Sequence, residues 1–283
     1  MNAIRSIAAI ALLAGLFTVS ARAQTGSSEQ LGQNAALRYW SAFAEMQDSA
    51  MMSHKIPGLD DPKVKELLDK NRAALDTMQR GTMLPNCDWG IDYQLGAYAP
   101  VEFVRKALIL GNLNALYVMY LQAHGDTEGA VRVLVAGLRF AHDVANGGTL
   151  FATDAAAVLL MDHLPMIPNI VHAGISPAQR LALQKALAQL GPAGLDWQGA
   201  VKRELGIHHG TDGVLSAQGL AALTQITPLY MDAMSDSSVL PRLQGMIADA
   251  PVDLRNIMPN PQRVVEVEES LQNHLAEARG LLQ

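Results

Sequence analysis

The stretch Gly125-Asp-Thr-Glu-Gly-Ala-Val-Arg-Val-Leu-Val-Ala-Gly-Leu-Arg-Phe-Ala-His-Asp-Val-Ala-Asn-Gly-Gly-Thr149 decides the fold class. Asp126 stands where a helix N-cap is needed, and Val131, Leu134, Val135, Leu138, Phe140 and Val144 recur at spacings that suit a helix. Gly147-Gly148 is a stop, and Thr149 caps a second helix at once. That next helix, Leu150 to about Leu164, ends where Pro165 and Pro168 disturb it. On the other side, Pro100 opens a helix through Val104, Leu108, Leu113, Leu116, Tyr120 and Leu121 that stops at Gly125. Three helices joined by two short glycine turns predict antiparallel helical hairpins. The run Asp126–Leu164 is apolar almost all round, which favours a compact body over an open solenoid.

The same signals extend outward. Asn34 caps a helix through Leu37, Tyr39, Trp40, Phe43 and Met46, and Ser53 to Asp60 reads as a loop. Asp61-Pro62 opens one helix that carries Val64, Leu67, Leu68, Leu75 and Met78 to Gly81, and Pro85 to Ala99 reads as irregular. Ser176-Pro-Ala-Gln179 is a capping box, and its helix ends at Leu190. Helices are also expected from Trp197 to near Gly210, from Ser216 to about Ser235, and from Asn260-Pro261 to the end. Asp236 to Pro259 reads as loop-rich, with one further helix. No segment alternates with period two for long. The expected fold is all-α, with antiparallel helical hairpins packed into one compact or solenoid-like domain.

Arg5, the apolar run Ile7–Phe17 and the triplet Ala21-Arg-Ala23 form a secretory signal peptide, with cleavage expected before Gln24. The expected organisation is signal peptide 1–23, disordered lead-in 24–33 and a single all-α domain 34–283 in the periplasm or outside the cell. Removing Arg5 and Arg22, the only charges of the leader, takes the formal net charge from −6 to −8. Such a balance argues against nucleic acid, because there is no basic surface to release counterions. Charged residues make up 17% of the chain and mean hydropathy is +0.12, yet no run after residue 23 approaches twenty uninterrupted apolar residues. Helices buried on several sides are therefore expected, with no membrane span in the mature chain. Cys87 is the only cysteine, so an intramolecular disulfide is impossible.

At Asn34-Ala-Ala-Leu-Arg-Tyr-Trp40, Cys87-Asp-Trp-Gly90 and Gly137-Leu-Arg-Phe-Ala-His-Asp-Val-Ala-Asn-Gly-Gly-Thr-Leu150, the chain resembles uncharacterised exported helical proteins of environmental bacteria. The resemblance would cover most of the mature chain. It implies a helical fold loosely similar to tetratricopeptide hairpins, and it brings no activity, cofactor or catalytic residue. The Trp, Leu-Gly and Tyr spacing of that repeat occurs in no segment.

Several groups of side chains carry chemistry worth testing. Glu204 and His208 lie four apart on one helix face with His209 adjacent, a spacing that could contribute metal ligands. The plainer reading is a histidine favoured at a helix C-terminus. His142-Asp143 and Asp154 are brought near one another by the turn at Asn146–Thr149. His142 is expected to point inward towards Thr153 or Asp154, with Arg139 as an alternative partner for Asp154. That group reads either as a satisfied core pair or as an oriented general base. Asp162-His163 and His124-Gly-Asp126 read as helix-end chemistry, and Met51-Met-Ser-His54 offers soft ligands for copper(I).

Cys87, Asp88, Trp89, Asp92 and Tyr93 form the densest group of unusual side chains in an irregular segment. They read as a binding surface or as a plug anchored by Trp89 and Tyr93. Phosphate loops, nucleophile elbows and paired cysteines are missing, so no cofactor is expected. The expected function is a non-catalytic exported binding module for a protein, peptide or small ligand. The alternative is a metal-dependent hydrolase on an all-α core.

Overall fold

The computed structural model describes residues 32–47, 58–93, 95, 101–191, 194–210 and 215–283, without the side chains of residues 208–210. The expected signal peptide, nearly all of the expected lead-in and the Met51–His54 cluster lie outside these. The protein is all-α. Among the described residues the only β-type pairing is a single bridge between Asn34 and Asn86.

The helices, numbered along the chain, are α1 (Ala35–Glu45), α2 (Pro62–Lys70), α3 (Arg72–Gly81), α4 (Phe103–Ala123), α5 (Thr127–Ala145), α6 (Leu150–His163) and α7 (Ile167–His172). They continue as α8 (Pro177–Gln189), α9 (Trp197–Gly210), α10 (Ala217–Ser235), α11 (Leu240–Ala248), α12 (Val252–Arg255) and α13 (Pro261–Leu282). Single 3-10 turns at Leu164–Met166 and Ser237–Val239 lead into α7 and α11.

α5 is the centre of the fold. It packs on α4, α6 and α8, and α3 also touches it. Its buried positions, from Gly129 through Leu134 and Leu138 to Val144, cover most of its circumference, as its nearly continuous apolar sequence requires. Asp126 caps it by accepting from the Gly129 N–H at 2.8 Å. Gly148 closes the turn to α6 at φ +69°, a left-handed conformation that glycine adopts without a Cβ penalty.

The helical run Leu150–His172 is long and apolar enough to cross a bilayer, with mean hydropathy 1.4, but 61% of its most apolar window is buried inside the protein. The core helix of a packed bundle meets the same length and hydropathy criteria. Pro165 and Pro168 interrupt regularity without ending the run, because each sits in the first turn of the piece it opens.

Two expected elements differ. The helix read as continuous from Pro62 to Gly81 breaks at Asn71, whose backbone leaves helical geometry at ψ 10°. The Asn71 side chain donates to the Gln47 and Leu67 carbonyls and accepts from the Gln47 N–H, so tying down the end of α1 outweighs continuity of the helix. The segment read as loop-rich after Asp236 holds α11 and α12, with Leu243 and Leu254 fully buried.

Three helices interlock through a polar core contact. His163 of α6 is fully buried, and its Nδ1–H donates to the Leu159 carbonyl at 2.6 Å. Because a carbonyl can only accept, Nε2 is the acceptor, and Asn114 Nδ2 of α4 donates to it at 3.0 Å. The same amide donates to the Val133 carbonyl of α5 at 3.1 Å. Gly137 makes room for both side chains, since a Cβ there would overlap His163 Nε2 and Asn114 Nδ2.

Candidate functional site

α5 ends at Ala145, which leaves its final carbonyls without helical partners. The Gly147 and Gly148 N–H groups satisfy the Val144 and Ala145 carbonyls, and the connection 86–93 supplies donors to Asp143 and to the turn beyond. Trp89 Nε1 donates to the Asp143 carbonyl at 2.8 Å, the Cys87 thiol donates to the same oxygen at 3.6 Å, and the Tyr93 hydroxyl donates to the Gly147 carbonyl. The start of the connection is fastened to α1 by Ala35 N–H to the Asn86 carbonyl and by reciprocal bonds between Asn34 and the Asp88 backbone. Arg203 of α9 adds a donor to the Gly148 carbonyl at 2.7 Å and lies over the Tyr93 ring.

Of the five residues read as a binding surface, Trp89 belongs to the core. It is 8% exposed and stacks on Phe103 with centroids 4.1 Å apart, with Phe43 and Tyr39 on its other sides. Cys87 and Tyr93 are half-buried against the end of α5, whereas Asp88 and Asp92 are exposed, with Asp88 accepting from the Gly90 N–H as a turn residue. Burial pushes the Cys87 thiol well up, and the nearby Asp143 carboxylate adds to that effect. A thiol held protonated is a poor nucleophile.

Asp143 joins the connection to a cavity. One carboxylate oxygen accepts from the Tyr39 hydroxyl, and the other lies 3.5 Å from His142 Nδ1. His142 does not point into the core as expected. Its side chain is 35% exposed and lines a cavity of about 670 Å³ between the ends of α5, α6, α8 and α9, with Glu268 of α13 on its wall. The expected partners are engaged elsewhere: Thr153 Oγ1 donates to the Thr149 carbonyl, and Arg263 of α13 pairs with Asp154 at 3.0 Å.

Trp197 also lines this cavity. Asp196 caps α9 through the Gly199 N–H, which sets Trp197 at the first helical position. Trp197 is 1% exposed, yet its Nε1–H has no hydrogen-bond partner. An unpaired buried donor costs about 1–3 kcal/mol, so native structures rarely leave one. Glu268 is half-buried, and burial, with the like charge of Glu269, raises its carboxyl above the usual carboxylate range.

Glu204, read as a metal ligand, caps α6: its Oε2 accepts from the Leu150 N–H at 3.1 Å. The His208 and His209 side chains lie outside the described residues. Among those described, no three His, Cys, Asp or Glu side chains are grouped so as to hold a metal. His163, read as helix-end chemistry, is the last residue of α6, bonded to the Leu159 carbonyl, and is fully buried there. His124 does sit at the end of α4, bonded to the Tyr120 carbonyl at 2.8 Å.

Sequence reading missed Trp197 and Glu268. A tryptophan after an N-cap carries no sign that its indole nitrogen will be buried without a partner, and Glu268 is one acid in the run Glu266-Val-Glu-Glu269. No protein-family model matches the chain, and neither a curated protein nor a solved structure matches it.

Proposed function

We propose that this protein is an exported binding module for a small polar molecule that carries a hydrogen-bond acceptor, and that the ligand enters the cavity beside His142. The reading rests on Trp197, a residue of the cavity lining whose buried Nε1–H has no partner. A volume near 670 Å³ lies within the range of small-molecule sites. His142, with Asp143 3.5 Å away, and the Glu268 carboxyl add hydrogen-bonding groups to the cavity lining. The connection 86–93 supports the site from behind, because it anchors the carbonyl end of the helix that carries His142.

The experiment is ligand capture from a small-molecule extract, read by native mass spectrometry. Wild-type protein should retain a discrete added mass. Trp197→Phe, which keeps the ring volume near the original and removes the donor, should lose it with little change in melting temperature. Equal retention by Trp197→Phe, or no retained mass in wild type, would overturn the reading.

One observation favours an enzyme instead: an imidazole with a carboxylate oxygen 3.5 Å from its Nδ1 faces the cavity. On that reading the wild type hydrolyses activated esters and His142→Ala abolishes the turnover, while the binding reading gives the same background rate for both.

A further inference from the structure

On α5 the positions Glu128, Val131 or Arg132, Val135 and Arg139 succeed one another at three- and four-residue spacing, so they form one stripe along the helix. This stripe is the floor of a second groove, of about 690 Å³, which is separate from the cavity beside His142. Its walls are Arg80 at the end of α3, Met83 just after that helix, and the start of α8, with Ala178 and Ala182. From Glu128 to Arg139 the floor runs for roughly 16 Å.

The chemistry of the groove is two-sided. Val131, Val135 and the alanines of α8 make an apolar strip, and Met83, 78% exposed at the edge, is a flexible side chain that adapts to what lies beside it. Three arginines, Arg80, Arg132 and Arg139, stand against two acids, Asp76 and Glu128, which leaves one net positive charge. Arg132 and Arg139 form no ion pair among the described residues. Arg139 is half-buried, and its Nε has no hydrogen-bond partner although it is shielded from water. A guanidinium in that state is matched by a carboxylate, which accepts two parallel hydrogen bonds from it.

We propose that this groove binds a free amphiphile with one carboxylate head and one acyl chain. The chain lies along Val131 and Val135, and the carboxylate meets Arg139 and Arg132. The single net charge selects a monoanion, and the apolar floor selects the chain.

The test is calorimetric titration of the mature protein with decanoate below its micelle concentration. Wild type binds one equivalent. Arg132→Glu, at an exposed position, and Arg139→Gln each weaken binding about tenfold or more, the effect of losing a charge-assisted hydrogen bond. Decanol, which has the chain without the charge, binds at least tenfold more weakly. Trp197→Phe leaves decanoate affinity unchanged, which keeps this site distinct from the polar cavity. Absence of decanoate binding, equal affinity for decanol, or equal affinity in Arg132→Glu overturns the proposal. Loss of decanoate binding in Trp197→Phe does so too, by placing the amphiphile in the other site.

Discussion

Gly137 is the position where a single methyl group should matter most. In an ordinary helix interior, alanine is favoured over glycine by about 1 kcal/mol. Here the added Cβ would meet two side chains that their own hydrogen bonds hold in place, His163 and Asn114. Overpacking a filled core costs roughly 1–3 kcal/mol, so the clash outweighs the propensity. Gly137→Ala should therefore lower the urea midpoint, and a rise would show that the three-helix contact is looser than described. The same contact sets a pH dependence. Burial lowers the His163 pKa from 6.5 to about 4, so the folded protein holds this ring neutral while the unfolded chain protonates it. The unfolded state then binds more protons between those values, and stability is lost as pH falls through that window. The full loss is on the order of 3 kcal/mol. NMR should find the His163 ring neutral down to about pH 4, and a titration near 6.5 in the folded protein would contradict its burial.

At the scale of elements, the connection 86–93 acts as a C-terminal cap for α5 and a cover for its aromatic end. Trp89→Ala removes a buried indole from a stack with Phe103 and leaves the Asp143 carbonyl with the weak Cys87 thiol donor alone. The expected cost is about 3–5 kcal/mol, read as a large fall in thermal midpoint. A nearly unchanged midpoint would favour the binding surface over the plug, the two readings that the sequence allowed. Glu204→Ala tests the other junction. It removes the acceptor that satisfies the Leu150 N–H and should destabilise by about 1 kcal/mol, because loss of a helix cap has that magnitude. A Glu204→Ala variant as stable as wild type would show that the cap contributes nothing.

For the whole molecule, far-ultraviolet circular dichroism of the protein should report helix with negligible strand. Strand at the level of an average globular domain, about a fifth of residues, would overturn the fold. The helices were legible because their signals are local. Asn34, Asp61, Asp126, Thr149, Ser176, Ser216 and Asn260 each cap the helix that follows, through hydrogen bonds spanning no more than three residues. Asn71 was missed because its choice between continuing the helix and bonding Gln47 depends on a neighbour 24 residues away.

The amino-acid sequence by itself determined an all-α chain, since caps, glycine stops and apolar spacing act within one or two turns of the backbone. It also carried the chemical inventory, including the histidines and the aromatic group around Trp89. Only the tertiary structure decided what each of these does. Trp89 is buried because α1 and α4 bring Phe43 and Phe103 to its faces, and His142 lines a cavity because α8, α9 and α13 stand apart from it there. His163 lies in the core because Gly137, on another helix, leaves space for its ring. Burial and partnership are set by residues distant in sequence, and their free energies depend on which groups meet after packing.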